Sequence, residues 1–152
     1  MDIMVNRRKS RELALQLLYS LRRNPRDTGC LFDDPLFSRT STRHREYAMT
    51  LVLGVLEHER DFDALITRYS RNWKLNRIAL LDNLILRIAL FELIHLEDIP
   101  PAVSINEAVE LSKKFSTVES GGFINGILDC CRKNRDGARG NVRKPGERNS
   151  AP

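Results

Sequence analysis

Residues 76–96 read Asn76-Arg77-Ile78-Ala79-Leu80-Leu81-Asp82-Asn83-Leu84-Ile85-Leu86-Arg87-Ile88-Ala89-Leu90-Phe91-Glu92-Leu93-Ile94-His95-Leu96. Wound at 3.6 residues per turn, this run is apolar on nearly every side, the pattern of a central helix covered by neighbours. Asp82, Asn83, Arg87 and Glu92 interrupt it and argue against a membrane span. A charge inside a core is costly unless it is paired. Arg87 therefore calls for an intramolecular partner or a path for its head to the surface. Asp82 lies near the helix start, where the macrodipole favours an acid, and is also placed to face a basic partner. The Asp82-Asn83 pair allows the helix to divide in two at that point.

The flanking segments carry one apolar stripe each. Residues 8–23 make a first helix with Leu13, Ala14, Leu17, Leu18 and Leu21 inward, ended by Asn24-Pro25. Residues 24–41 show no period, and Leu31, Phe32, Leu36 and Phe37 predict a loop pinned to the core. Ser41 or Thr42 caps a second helix whose stripe is Tyr47, Ala48, Leu51, Val52 and Val55, with Gly54 permitting close approach of a neighbour. Asp61 is placed to cap a third, with Phe62, Leu65, Ile66 and Tyr69 inward. Trp73 and Leu75 read as core anchors in the connection.

Beyond Pro100-Pro101, Ser104-Ile105-Asn106-Glu107 matches a capping box and predicts a helix start. Ile105, Ala108, Val109, Ser112 and Phe115 form its buried stripe, and Lys113-Lys114 sits in its last turn, where the dipole favours cations. Asn125-Gly126 is a hairpin signal. Phe123, Ile124, Ile127, Leu128 and Cys131 nevertheless recur at helical spacing and predict a final helix over about 120–133. Residues 134–152 are rich in Gly, Pro, Arg and Asn and are expected to be disordered. No segment alternates with period two. The reading is all-α, six or seven helices over 1–133, followed by a basic tail at 134–152.

Charge is unevenly spread. Residues 1–26 hold seven Lys/Arg against two acids and residues 133–152 six against two, while 27–132 hold twelve against sixteen. Basic ends suit nucleic acid; an acidic body suits a basic protein partner. The three cysteines (Cys30, Cys130, Cys131) show no CxxC spacing and fit a reducing cytosol, with one of Cys130 and Cys131 expected in the core. His44, His58 and His95 are scattered. No metal site is expected, and neither a phosphate-binding glycine loop nor a nucleophile constellation is present, so neither an enzyme nor a cofactor is implied. Asp33/Asp34 and Asp61/Asp63 read as turn and cap residues. The N-terminus lacks the apolar run of a secretory signal, and a cytoplasmic protein without a membrane partner is expected.

Arg7-Arg8-Lys9-Ser10-Arg11 stands at the front of the first helix, the end where the macrodipole favours anions. Each cation there costs on the order of a few tenths of a kcal/mol. An external polyanion would recover that cost. Arg8, Arg11, Tyr19 and Arg22 fall on one flank, and cations with an aromatic suit phosphate contact and base stacking. By themselves these residues do not choose between RNA, DNA and idle solvation.

Five stretches together resemble the NusB family of bacterial transcription antitermination factors. They are 7–19 (RRKSRELALQLLY), 86–93 (LRIALFEL), Ile99-Pro100, 103–115 (VSINEAVELSKKF) and 123–129 (FINGILD). The resemblance implies two small packed helical bundles, no enzymatic activity, and a heterodimer with the ribosomal protein NusE. That pair would bind boxA-type single-stranded RNA of nascent ribosomal RNA transcripts and act in the RNA polymerase antitermination complex. By position, Arg7, Arg8, Lys9, Arg11, Glu119 and Phe123 look like the RNA surface, and Tyr19 and Asp82 like the NusE-facing surface. For Phe123, inward packing with Ile127 stands beside stacking on a base.

The family commonly carries a basic residue just before the phenylalanine matching Phe123; here stand Gly121-Gly122. A missing phosphate contact, a looser helix start and weaker RNA binding are expected, with the basic tail available to compensate. NusB-like domains also occur fused to ribosomal RNA cytosine methyltransferases, so a relative of such a domain and an interaction module without RNA contact are the competing functions. An apolar face left exposed on the first helix would permit a homodimer that hides the RNA surface.

Overall fold

The computed structural model describes residues 7–25, 27–70 and 77–134. Among them are seven α-helices and no strand: α1 (Arg7–Arg23), α2 (Pro35–Arg39), α3 (Thr42–Glu57), α4 (Glu59–Tyr69), α5 (Leu80–His95), α6 (Pro101–Phe115) and α7 (Val118–Lys133). A short 3-10 helix, Thr28–Asp33, precedes α2. Trp73, Leu75 and the tail beyond Asn134 lie outside the described residues. No helix among the described residues is long and apolar enough to cross a membrane.

Helix α5 is the shared centre. Thirteen of its sixteen residues are buried, which is why its sequence shows no polar face. Helices α1, α3 and α4 pack on it from the N-terminal half of the chain, and α6 and α7 from the C-terminal half. One continuous apolar cluster, from Leu13 on α1 to Cys131 on α7, joins the two groups. At Gly54 of α3, an added Cβ would lie 2.3 Å from the Phe91 ring, so the absence of a side chain lets α3 and α5 approach. His58 and His95 stack with ring centroids 4.2 Å apart, beside Phe62 and Phe91.

The charges on α5 find partners inside the molecule. Arg87 donates to Asp63 at 2.9 Å and to Glu59 at 2.8 Å, both on α4. Glu92 accepts from Arg11 of α1 at 2.9 and 3.1 Å and from the Tyr47 hydroxyl of α3. Burial, with the Glu92 charge added, pushes the Tyr47 phenol far above the ordinary tyrosine range.

Several expectations change. Helix α5 is unbroken at Asp82-Asn83; the seventh helix is α2, inside the segment read as a loop. There Asp34 caps α2 by accepting from the Leu36 amide at 2.9 Å, and Pro35 supplies a preset first-turn φ. Leu31 and Phe37 are buried, but Phe32 is 59% exposed, held edge-on against Phe37. Helix α4 begins at Glu59, with Asp61 inside its first turn rather than at its cap.

The capping box at Ser104 is not used as one. Pro101 at the first helical position starts α6 earlier, leaving Ser104 buried in the helix with its hydroxyl unpartnered. Glu107, free of capping, turns to α1. Helix α7 starts at Val118, capped by Thr117, whose side chain accepts from the Ser120 amide at 3.2 Å. It runs through Gly121-Gly122 without a break.

Every leucine and alanine of α1 is buried, including Leu15, because α3 and α5 enclose more of the helix than one stripe. No leucine or alanine of α1 is left exposed to form the apolar face that would permit a homodimer.

Candidate nucleic-acid interface

The first turn of α1 contains no acid. The carboxylates that its dipole and its cations require come instead from the end of α5, the loop after it, and α6. Arg7 stacks its guanidinium 4.5 Å over the Tyr47 ring and lies 3.6 Å from Asp98. Arg8, half-exposed, donates two hydrogen bonds to Glu107, at 2.9 and 3.1 Å. The Glu107 hydrogen bond, then its charge, raises the Arg8 pKa further. Lys9 is exposed.

Arg11 departs from expectation. Its side chain is 5% exposed and faces inward onto Glu92, which is 1% exposed, so its guanidinium is spent inside the protein. On the flank shared with Arg8 and Arg22, α5 covers the position of Arg11. The outward cations of this arm are therefore Arg7, Arg8 and Lys9.

Tyr19 lies eleven residues beyond Arg8, roughly 16 Å along the helix at 1.5 Å per residue. The two cannot grip one nucleotide together. Tyr19 is half-buried against the core, with the Arg23 guanidinium 6.0 Å over its ring.

Glu119, Phe123 and Asp82 do come together. With Arg77, Ile78, Ala79, Thr117 and Ser120 they line a cleft of about 240 Å³ at the start of α7. Asp82 is 8% exposed; one of its carboxylate oxygens accepts from the Ser120 hydroxyl at 2.9 Å, and the other is buried without a hydrogen bond. Phe123 is half-buried and packs on the core. Val118, next to Glu119, is 78% exposed. Gly121 is buried with Val109 3.4 Å from a would-be Cβ, whereas Gly122 faces open space.

Sequence reasoning missed the last turn of α6. Lys113 and Lys114 were read as dipole-matched cations. They also border a cleft of about 360 Å³ with Arg8, Glu12, Glu110 and Leu111, beside the α1 arm. The signal available was position: Lys114 stands five residues before Glu119, at the turn leading into α7.

Among the described residues no group of His, Cys, Asp or Glu is placed to hold a metal ion. What the surface offers is cations anchored on rigid helices, a half-exposed aromatic and a small polar cleft, the equipment of a polyanion-binding helical protein.

The chain belongs to the NusB family, whose family model matches residues 8–133. It is 44% identical over 132 residues to the transcription antitermination protein NusB of Desulforapulum autotrophicum, covering 85% of this chain and 92% of that one. NusB of T. maritima has the same fold, with a TM-score of 0.76 at 35% identity over 85% of this chain and 92% of the other. A chain in the crystal structure of the antitermination factors NusB and NusE in complex with dsRNA matches with a TM-score of 0.76 at 26% identity, over 86% and 98%. Membership makes the chain a transcription antitermination protein rather than an enzyme.

Proposed function

We propose that this protein binds boxA-type RNA of nascent ribosomal RNA transcripts as a heterodimer with the ribosomal protein NusE, and through that complex helps RNA polymerase pass terminators. The observation that carries the reading is the match to a chain from an assembly of NusB, NusE and RNA, over 98% of that chain. Arg7, Arg8 and Lys9 contact phosphates and set register, while Phe123 and Glu119 meet bases. Tyr19 and Asp82 face NusE, and the acidic middle of the chain favours that basic partner. Arg11 acts beneath this surface by fixing α1 to α5. The basic tail adds phosphate contacts that offset Gly121-Gly122; deleting residues 134–152 lowers RNA affinity and the salt slope together, and unchanged affinity and slope remove that role.

Co-purification with NusE, followed by gel shift of a boxA-type RNA with and without NusE, tests the reading. A shift that strengthens with NusE and fails with a scrambled RNA is expected. Absence of sequence-dependent binding even with NusE would refute it.

A further inference from the structure

The α1 arm and the α7 cleft are separate patches, and the last turn of α6 lies between them in the chain. Lys113 and Lys114 side chains are 54% and 60% exposed, and each is held by a carboxylate: Lys113 by Glu110 at 3.2 Å, Lys114 by Glu12 at 3.0 Å. Arg8, which lines the same cleft, is held in the same manner by Glu107 at 2.9 Å. Three cations thus converge on one concave strip, each already seated on an oxyanion.

A carboxylate and a phosphodiester offer a cation the same kind of partner, charged oxygens at hydrogen-bond distance. The lysine heads of both pairs are solvent-exposed, so the pairs are weak and exchange readily. We infer that the cleft between α1 and α6 is a phosphodiester-binding site, in which Lys113 and Lys114 exchange Glu110 and Glu12 for successive phosphates and carry the RNA backbone from Arg8 to the start of α7. The carboxylates keep the lysine heads over the cleft before RNA arrives and lower the affinity for stray anions. This inference rests on the RNA-binding reading above.

The test must separate local contact from overall charge. E12Q/E110Q/K113Q/K114Q removes both pairs and leaves the net charge of the protein unchanged. None of the four side chains is buried in the core, Glu12 being the least exposed at 21%, and a thermal melt alongside verifies the fold. Binding of boxA-type RNA to the NusE heterodimer is measured by fluorescence anisotropy across a salt series. Each lost single-strand phosphate contact lowers the slope of log K against log[salt] by about 0.7, so a fall of about 1.4 is expected. A slope equal to that of the parent protein overturns the inference. R8Q runs in parallel: a reduced slope there with a parental slope in the fourfold variant defeats the cleft alone, whereas no sequence-dependent binding by the parent defeats the underlying reading.

Discussion

Arg11 and Glu92, eighty-one residues apart, lie face to face between α1 and α5, the guanidinium Nε 2.9 and 3.1 Å from the two carboxylate oxygens. The Tyr47 hydroxyl completes the carboxylate, and the Arg7 guanidinium lies over the Tyr47 ring. The pair ties the cationic end of α1 to the central helix. Removing one partner strands a buried charge, so Arg11→Ala or Glu92→Gln is expected to cost about 3–5 kcal/mol, while Arg11→Met with Glu92→Leu costs less than either, losing only the Tyr47 hydrogen bond. Chemical denaturation of the three variants checks this. Equal, small losses in all three would show that the pair does not anchor the helix.

Ser104 and Thr117 offer a direct contrast. Thr117 caps α7, so Thr117→Ala should lower stability by about 1 kcal/mol. Ser104 lies inside α6 with an unpartnered hydroxyl, so Ser104→Ala should change stability by less than about 0.5 kcal/mol. Thermal melts that reverse this order would restore the capping box.

Gly122 faces open space on the outside of α7. Gly122→Lys should raise stability by roughly 0.5–1 kcal/mol, because glycine is a poor helix residue. It should also steepen the salt dependence of RNA binding by about 0.7 in slope, by supplying a cation for one further phosphate contact. A stabilised variant with unchanged RNA binding would place this face of α7 away from the RNA.

Burial pushes the Cys131 thiol up to about 12 from 9.0, with the neighbouring Cys130 adding to the shift. The folded state favours the protonated thiol, so this group's contribution is complete below pH 9 and is lost as pH rises from 9 to about 12. Cys131→Ala should flatten that limb of the stability profile. In the native protein, exposed Cys30 should alkylate first and Cys131 last. Mass spectrometry after timed labelling reads the order, and early labelling of Cys131 contradicts its placement.

Much of the architecture was legible because α5 announces itself: a run apolar on every face has to be surrounded. The same reasoning flagged Arg87 and Glu92 as charges in need of partners. Their partners were not legible, since Asp63, Glu59, Arg11 and Tyr47 arrive by helix packing across 24 to 81 residues. Local rules failed where two signals competed. Pro101 and the Ser104 capping box each mark a helix start, and the proline, earlier in the chain and with its φ already set, prevails. Arg11 was misread because helical arithmetic gives a residue's direction but not which neighbour will occupy it. Lys113 and Lys114 satisfied a sufficient local explanation, the dipole, and their proximity to Arg8 exists only in the fold.

The central claim is that an exposed cation arm on α1 reads RNA together with a protein partner. Its most direct test is anisotropy titration of boxA-type RNA and a scrambled RNA of equal length, with the protein alone and with NusE, over a range of salt. The account predicts preference for the boxA-type RNA, tighter binding with NusE, and log K falling linearly with log[salt]. Equal affinity for the two RNAs, with and without NusE, would contradict it.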